Sequence, residues 1–436
     1  MKKTIFLLIL FLARPVFAQT LTLDEVVKTV RETHPSIEAA KQDAESAKQM
    51  KKAESWLEDP MVGVIFEEVP FNSPSLGNAD MTSYFVSQKI PFLGTLITKN
   101  KALNAEYKAK REMVTSRERE MVFEAKKAYF ELFAVMNQLK DQRSIASSYA
   151  QMIASFEAQY KSGGDRLSGK DGRKKAPTEM TSGMSGQTDS IGGVSVFADL
   201  MMAKMKKAEV ETLILDLKHQ EEALKARLNL LMGREAHETI GRLSEPKIKK
   251  IKEDTKTLEQ KLLAQNADLK ALEWMLKKSE KEVSLAAQRL IPVIEPEFMY
   301  QRRQNMDNAY QLGIGLNLPI WINRNVHEIK KAKADKLRTK ADLESQTRGA
   351  KDTLHNLLHF AVEHYKIVSK YRGEIIPLAQ SAANAATTAY GAGMISSSSL
   401  LQKIINLHEA RKMYRDMWKD YQIEYAMLEA LVGEEL

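Results

Sequence analysis

Two histidines of the 436-residue chain, His355 and His359, stand four residues apart, with His364 further along. On a helix the pair would share a face and could ligate a metal ion. A metalloprotease helix would follow the first histidine with Glu; here Asn356 follows, and the available carboxylate partner, Glu363, is generic. We read the three as solvated or packed side chains. Gly164-Asp165-Arg166-Leu167-Ser168-Gly169-Lys170 spells the opening of a phosphate-binding loop. Asp171, however, stands where Ser or Thr must hold magnesium, and no strand precedes the run. Met121, Met136, Met152, Met201, Met202 and Met205 could line a path for a soft metal, but at helical spacing we read them as core filler. The chain has no Cys, which excludes disulfides, thiolate zinc sites and an acylated N-terminal cysteine. No nucleophile, base and orienting group stand in a catalytic arrangement, and no Gly-rich cofactor fingerprint is present. The residues therefore predict no enzyme, no metal site and no cofactor.

The elements around these decoys are more informative. Tyr310, Leu312, Ile314, Leu316 and Leu318 alternate with Gln311, Gly313, Gly315 and Asn317, which are small or polar. Such alternation puts one set on each face of a strand, until Pro319 ends the ladder for want of a backbone N–H. The next seventy or so residues, rich in Ala, Leu, Lys and Glu, predict a helix on the order of 100 Å long. The same object occurs earlier, at Gln88-Lys89-Ile90-Pro91-Phe92. From Pro91 to Tyr160 is 69 residues and from Pro319 to Tyr390 is 71, and each long helix is expected to end in Tyr-x-x-Gly, at Gly163 and Gly393. Both halves close on a helix ending Leu231-Met232-Gly233 or Leu431-Val432-Gly433. We read an internal duplication, 19–245 and 246–436.

Residues 1–18 have the form of a secretory signal, with Lys2 and Lys3, an apolar run from Ile5 to Ala13, and Val16-Phe17-Ala18 before the cleavage point. Without Lys2, Lys3 and Arg14 the net charge falls from +8 to +5, which gives no reason to expect a nucleic-acid partner. Thr22 and Glu25 predict a capping box. His34-Pro35 interrupts, and a second helix follows to about Leu57. Strands are expected at about 61–69 and 82–90. The second half is expected to repeat this with one helix from Thr255 to Leu290 and strands at 294–303 and 309–320. The long helices, about 95–162 and 325–392, should return as antiparallel partners through 195–232 and 396–432, with hairpin tips far from the strands. Tyr160 to Gly233 spans 73 residues but Tyr390 to Gly433 only 43; the surplus of 30 is assigned to an insertion at 164–193, rich in Gly, Ser and Lys.

The fold class expected is therefore mainly α with a small β part, built of long antiparallel coiled helices and four strands per chain. Four strands cannot close a membrane barrel, the smallest of which have about eight. Three chains would supply twelve, within the known range. The side chains of Tyr310, Leu312, Ile314, Leu316 and Leu318 would then face lipid.

The ordered pieces resemble the TolC-like outer-membrane efflux proteins over nearly all of the mature chain. They are Leu21-Thr22-Leu23-Asp24-Glu25-Val26 with His34-Pro35-Ser36-Ile37, and the junctions Lys89-Ile90-Pro91-Phe92-Leu93-Gly94 and Leu318-Pro319-Ile320-Trp321. Ile376-Pro377-Leu378-Ala379 before Tyr390-Gly391-Ala392-Gly393, and Ala226 to Gly233, complete the set. The resemblance implies a homotrimer with a shared twelve-stranded barrel in the outer membrane of a Gram-negative bacterium and a helical barrel in the periplasm. It implies passive conduction of small toxic compounds or metal ions, the junctions resembling the heavy-metal and cation branch. The tips, at Gly163, Gly393, Met394 and Ile395, would dock on a periplasmic adaptor and an inner-membrane pump. Where the family commonly carries a gate Asp, six residues after the tip Gly, the second half has Ser399, with Gln402 at a second acidic position; the first half has Asp199. The competing readings are an exit duct for type I protein secretion and a periplasmic coiled-coil adaptor or scaffold. An adaptor has no use for alternation such as Tyr310 to Leu318.

Overall fold

The computed structural model describes residues 20–71, 74–167, 189–304 and 306–436. The signal segment 1–18 and most of the 164–193 insertion lie outside the described residues. The element order is the same in both halves. The first runs α1 (Leu23–Thr33), α2 (Pro35–Ala53), β1 (Met61–Glu67), β2 (Met81–Ser87), α3 (Leu93–Leu167) and α4 (Asp189–Leu231). The second runs α5 (Thr255–Gln265), α6 (Ala267–Gln288), β3 (Val293–Arg303), β4 (Ala309–Asn317), α7 (Ile322–Lys370), α8 (Ile376–Gly391) and α9 (Ser397–Val432).

Local chemistry sets the boundaries. Thr22 and Glu25 form the expected capping box, Glu25 N donating to Thr22 Oγ1 at 3.3 Å and Thr22 N to Glu25 Oε2 at 2.9 Å. The helix expected from Thr255 to Leu290 is two helices. Asn266 breaks it without a proline: its extended backbone ends α5, and its side chain caps α6 by accepting from Leu269 N at 2.9 Å. Its amide donates to Leu431 O at 2.8 Å, so the break is tied to the end of α9. The first half does the same with other residues, Thr33 Oγ1 donating to Met232 O at 2.8 Å.

The first long helix does not end at Tyr160-x-x-Gly163; α3 continues to Leu167, and α4 is already helical at Asp189. The ends of the expected insertion are therefore helical. The second long helix is interrupted between α7 and α8 by a π turn, Tyr371–Ile375. Pro377 explains it. The ring cannot donate a hydrogen bond and would clash with the carbonyl four residues back, which the wider turn moves aside.

β1, β2 and β4 end earlier than expected, each for a local reason, while β3 begins one residue sooner, at Val293. β1 stops at Glu67 because Glu68 turns left-handed, with φ of 56°, ahead of Pro70. β2 stops at Ser87 because Gln88 faces Pro296, whose nitrogen has no hydrogen to return; Gln88 N still donates to Pro296 O at 3.1 Å. Pairing resumes as an isolated bridge at Ile90 and Ile294. β4 stops at Asn317, so Leu318, expected within the strand, lies just past it. The four strands make one antiparallel sheet in the order β1-β2-β3-β4, with β1 and β4 at its edges.

The chain forms two compact units, each drawing on both halves. One comprises Pro35–Met121, Glu253–Asn356 and Glu429–Leu436 and holds the sheet; the other comprises the chain up to His34, Val122–Lys252 and Leu357–Leu428. In the second, Tyr129 is fully buried and its hydroxyl donates to Ser244 O at 2.8 Å, stapling α3 to the segment that pairs Leu21 with Leu243. Burial raises the pKa of that phenol, and the bond costs nothing at neutral pH.

Candidate functional site

Register assigns every strand residue to a face. On one face Val64, Tyr84, Tyr300 and Tyr310 form one rung across the sheet, and Val62, Val86, Phe298 and Leu312 the next. Pro296 with Ile314, then Ile294 with Leu316, continue it toward the helices. These side chains have nothing to pack against. Tyr310, Leu312 and Ile314 are 74–76% exposed, and Val62, Val64, Tyr84, Val86, Phe298 and Tyr300 are exposed as well. Leu318 is exposed beyond the strand end. Contiguous apolar surface on this scale marks a partner or a membrane.

The opposite face is mixed: Met61, Ile65, Met81, Phe85 and Met299 stand among a polar set whose members bond to one another. It carries Glu67, Ser83, Ser87, Glu295, Glu297, Gln301, Arg303 and Gln311. Ser83 Oγ donates to Glu67 Oε1 at 2.8 Å, Ser87 Oγ to Glu295 Oε1 at 3.1 Å, and Arg303 Nη2 to Gln301 Oε1 at 2.8 Å. Gly63 leaves room there for the Phe85 ring, which a Cβ would meet at 2.4 Å. The alternation in β4 assigned Gln311 to this face, but the polar residues of β1, β2 and β3 were not read from the sequence. The alternation Ile294, Glu295, Pro296, Glu297, Phe298 carries their signal in β3.

The helical tip lies in the other unit. Gly393 (φ of 71°) ends α8 in a Schellman motif, Met394 N donating to Ala389 O at 2.8 Å and Gly393 N to Tyr390 O at 3.0 Å. Met394 is 72% exposed; Ile395 packs on the core beneath. Ser396 opens α9, its hydroxyl accepting from Ser399 N at 3.3 Å. That core takes Met152 and Phe156 from α3, Leu200 and Ala203 from α4, Ala386 from α8 and Leu400 from α9. Asp199 and Ser399 each precede a leucine of this one cluster, so the structure brings them to equivalent places in the duplicated hairpins. Gln402 is exposed on α9, its amide donating to Asn406 Oδ1 at 2.8 Å. Gly163 lies inside α3 and ends nothing.

The methionines divide. Met152 belongs to the core, but Met201, Met202 and Met205 are exposed on α4, against the expectation of core filler. Met201 and Met205 lie on a second stripe of that helix, Ala198, Met201, Met205, Ala208, Thr212 and Leu215, exposed at alternating spacings of three and four, with Met202 beside it. The first stripe, including Leu200, Ala203 and Leu217, faces the core. A helix with two apolar stripes is built for two neighbours.

The histidines are not assembled. His364 Nδ1 lies 2.9 Å from Glu424 Oε2, and burial raises the pKa of that carboxyl. Among the described residues no group of three or more His, Asp or Glu could hold a metal ion. No helix among them is long and apolar enough to cross a membrane.

Residues 258–434 match the family model described as outer membrane efflux protein. No curated protein matches the chain in sequence. Its fold is shared with outer-membrane channels of known structure. The outer-membrane channel OprN superposes with a TM-score of 0.73 at 14% identity, over 94% of this chain and 89% of that one. The outer membrane protein VceC of Vibrio cholerae gives 0.72 at 16% identity, over 95% and 97%. The CmeC outer membrane channel of Campylobacter jejuni gives 0.69 at 13%, over 94% and 85%. The match to that family model thus lies on a mainly α-helical chain with one four-stranded antiparallel sheet.

Proposed function

We propose that three copies of the chain close a shared barrel of twelve strands in the outer membrane and act as the exit duct of a tripartite efflux system. The sheet carries this reading. It has four strands, two edges without a partner strand among the described residues, one exposed apolar face and one face carrying the bonded polar set. A sheet cannot leave edges open in lipid, so copies must supply the missing neighbours. The apolar face then meets lipid and the polar face lines the conduit. The second stripe of α4 supports the same arrangement, because a neighbouring copy would cover it.

In this assembly Gly393, Met394 and Ile395 mark the tip of the second hairpin, which docks on a periplasmic adaptor, itself coupled to an inner-membrane pump; Gly163, inside α3, does not mark the first. Asp199, Ser399 and Gln402 stand at the tip constriction. An acidic ring there would rest on Asp199 alone. The duct conducts passively, and its cargo is small toxic compounds or metal ions delivered by the pump. The two repeats, 19–245 and 246–436, each supply two strands and one long hairpin.

The test is mass and conductance of protein extracted from outer membranes in mild detergent. A trimer that conducts ions in a planar bilayer is the expected result. A monomer with no conductance would overturn the proposal.

A further inference from the structure

The apolar face of the sheet ends in a patterned rim. Tyr84, Tyr300 and Tyr310 occupy one rung on three adjacent strands, all exposed. One rung nearer the β1–β2 and β3–β4 loops, Thr82 stands between Phe66 and Arg302 on the same face. Arg302 is exposed, and among the described residues its side chain makes neither an ion pair nor a hydrogen bond. Beyond it, toward the loops, lie Glu68 and Asp80, neither of which pairs with it. In the other direction the β3 and β4 residues of this face are apolar to Leu318, eight residues from Tyr310, with Gln88 the polar neighbour of Pro296. That length is about 27 Å along a strand, or about 21 Å of membrane depth at a tilt near 40°. It spans most of the roughly 25 Å apolar band of a membrane barrel. The tyrosine rung therefore lies near one boundary of the hydrocarbon, and Arg302 stands one rung beyond it, at the far side of the sheet from Phe66.

We propose that Arg302, with the tyrosine hydroxyls beside it, binds a phosphate group of an outer-leaflet glycolipid. The inference rests on the membrane reading of the sheet, and adds a specific lipid contact to it. The opposite ends of the four strands connect to α2, α3, α6 and α7, so the loop end is the one away from the periplasm. There the leaflet is built of phosphorylated glycolipid. A planar guanidinium with no internal partner can take two phosphate oxygens at once, and tyrosines at a headgroup boundary place apolar rings inward and hydroxyls outward. A soluble protein would gain nothing from an unpaired arginine above a tyrosine row.

The experiment uses full-length protein purified in an uncharged detergent, titrated with micelles doped with diphosphoryl lipid A. Thermal stability of the assembled protein is the readout. Wild type should be stabilised saturably, and Arg302→Gln should need about tenfold more dopant, the loss of one charge-assisted phosphate contact. Arg302→Lys should fall between, keeping the charge without the fork. Phosphatidylglycerol, a phosphate source of the inner leaflet, should stabilise wild type more weakly. Equal response of wild type and Arg302→Gln would overturn the proposal, as would phosphatidylglycerol acting as well as lipid A. Conductance separates the two levels of inference. A protein that forms pores without any effect of Arg302 refutes the lipid site alone, and one that forms no pores refutes the channel.

Discussion

Ile314 offers a direct physical test of the sheet. It sits midway along the run from Tyr310 to Leu318, is 76% exposed, and points to the apolar face through its pairing with Pro296. For a sheet in water, Ile314→Arg replaces one exposed side chain by another and should change stability by no more than about 0.5 kcal/mol. For a sheet in lipid, an arginine at the midplane costs about 2–4 kcal/mol per chain. That is a factor of roughly 30 to 1,000 in the folding equilibrium. The neighbour on the opposite face supplies the control. A Cβ at Gly313 would stand 3.7 Å from the Glu297 Cβ, an ordinary contact, and an arginine there could reach the carboxylates of the polar face. Gly313→Arg should therefore stay within about 1 kcal/mol of wild type. Urea unfolding of protein refolded into phospholipid vesicles, read by heat-modified gel mobility, measures both. The reasoning fails if Ile314→Arg unfolds with wild type, or if Gly313→Arg is the more damaging of the two.

Asn266→Ala removes the cap of α6 and orphans Leu431 O, so a loss of about 2–3 kcal/mol is expected in urea unfolding; Asn266→Asp, which keeps the cap, should recover about half. Gly393→Ala meets no atom within 4 Å, so its cost is the left-handed backbone alone, about 1 kcal/mol, seen as faster amide exchange at 389–396; Gly393→Asn should cost less. Burial, with the Arg411 charge nearby, lowers the pKa of His408 from 6.5 to about 4, and its Nδ1 has no hydrogen-bond partner among the described residues. The unfolded chain thus binds more protons than the native one between those values, and stability falls as pH drops through that window. Discounted for partial exposure, the loss from pH 7.5 to 5 is about 1 kcal/mol per chain, and His408→Gln should abolish that component in unfolding measured at both pH values.

Local rules carried a good part of the fold. The alternation from Tyr310 to Leu316, the prolines after the strands and the Thr22–Glu25 capping box act over a few residues, and each operates in the structure as the sequence implies. The repeated order of elements was legible because the same short signals recur in the same order. Where the sequence reading erred, the deciding partner was distant or the competing local rule was weak. Asn266 breaks α5 from α6 through an extended backbone stabilised by Leu431, 165 residues away. The π turn before Pro377 relieves a clash that helical periodicity does not register. The exposure of Met201 and Met205, with Met202 beside them, reflects a second stripe whose period matches that of the core stripe, and composition cannot tell the two apart.

The sequence by itself determined the secondary structure types, their order, and which residues of each strand share a face, because these depend on neighbours within one or two turns. Register needed the tertiary structure. The alignment of Tyr84 with Tyr300 and Tyr310, and the placement of Arg302 one rung beyond them, depend on hydrogen bonds between strands more than 200 residues apart. A slip of one residue would invert every face. The same holds at the tip, where Asp199 and Ser399 become equivalent only because Leu200 and Leu400 enter one core.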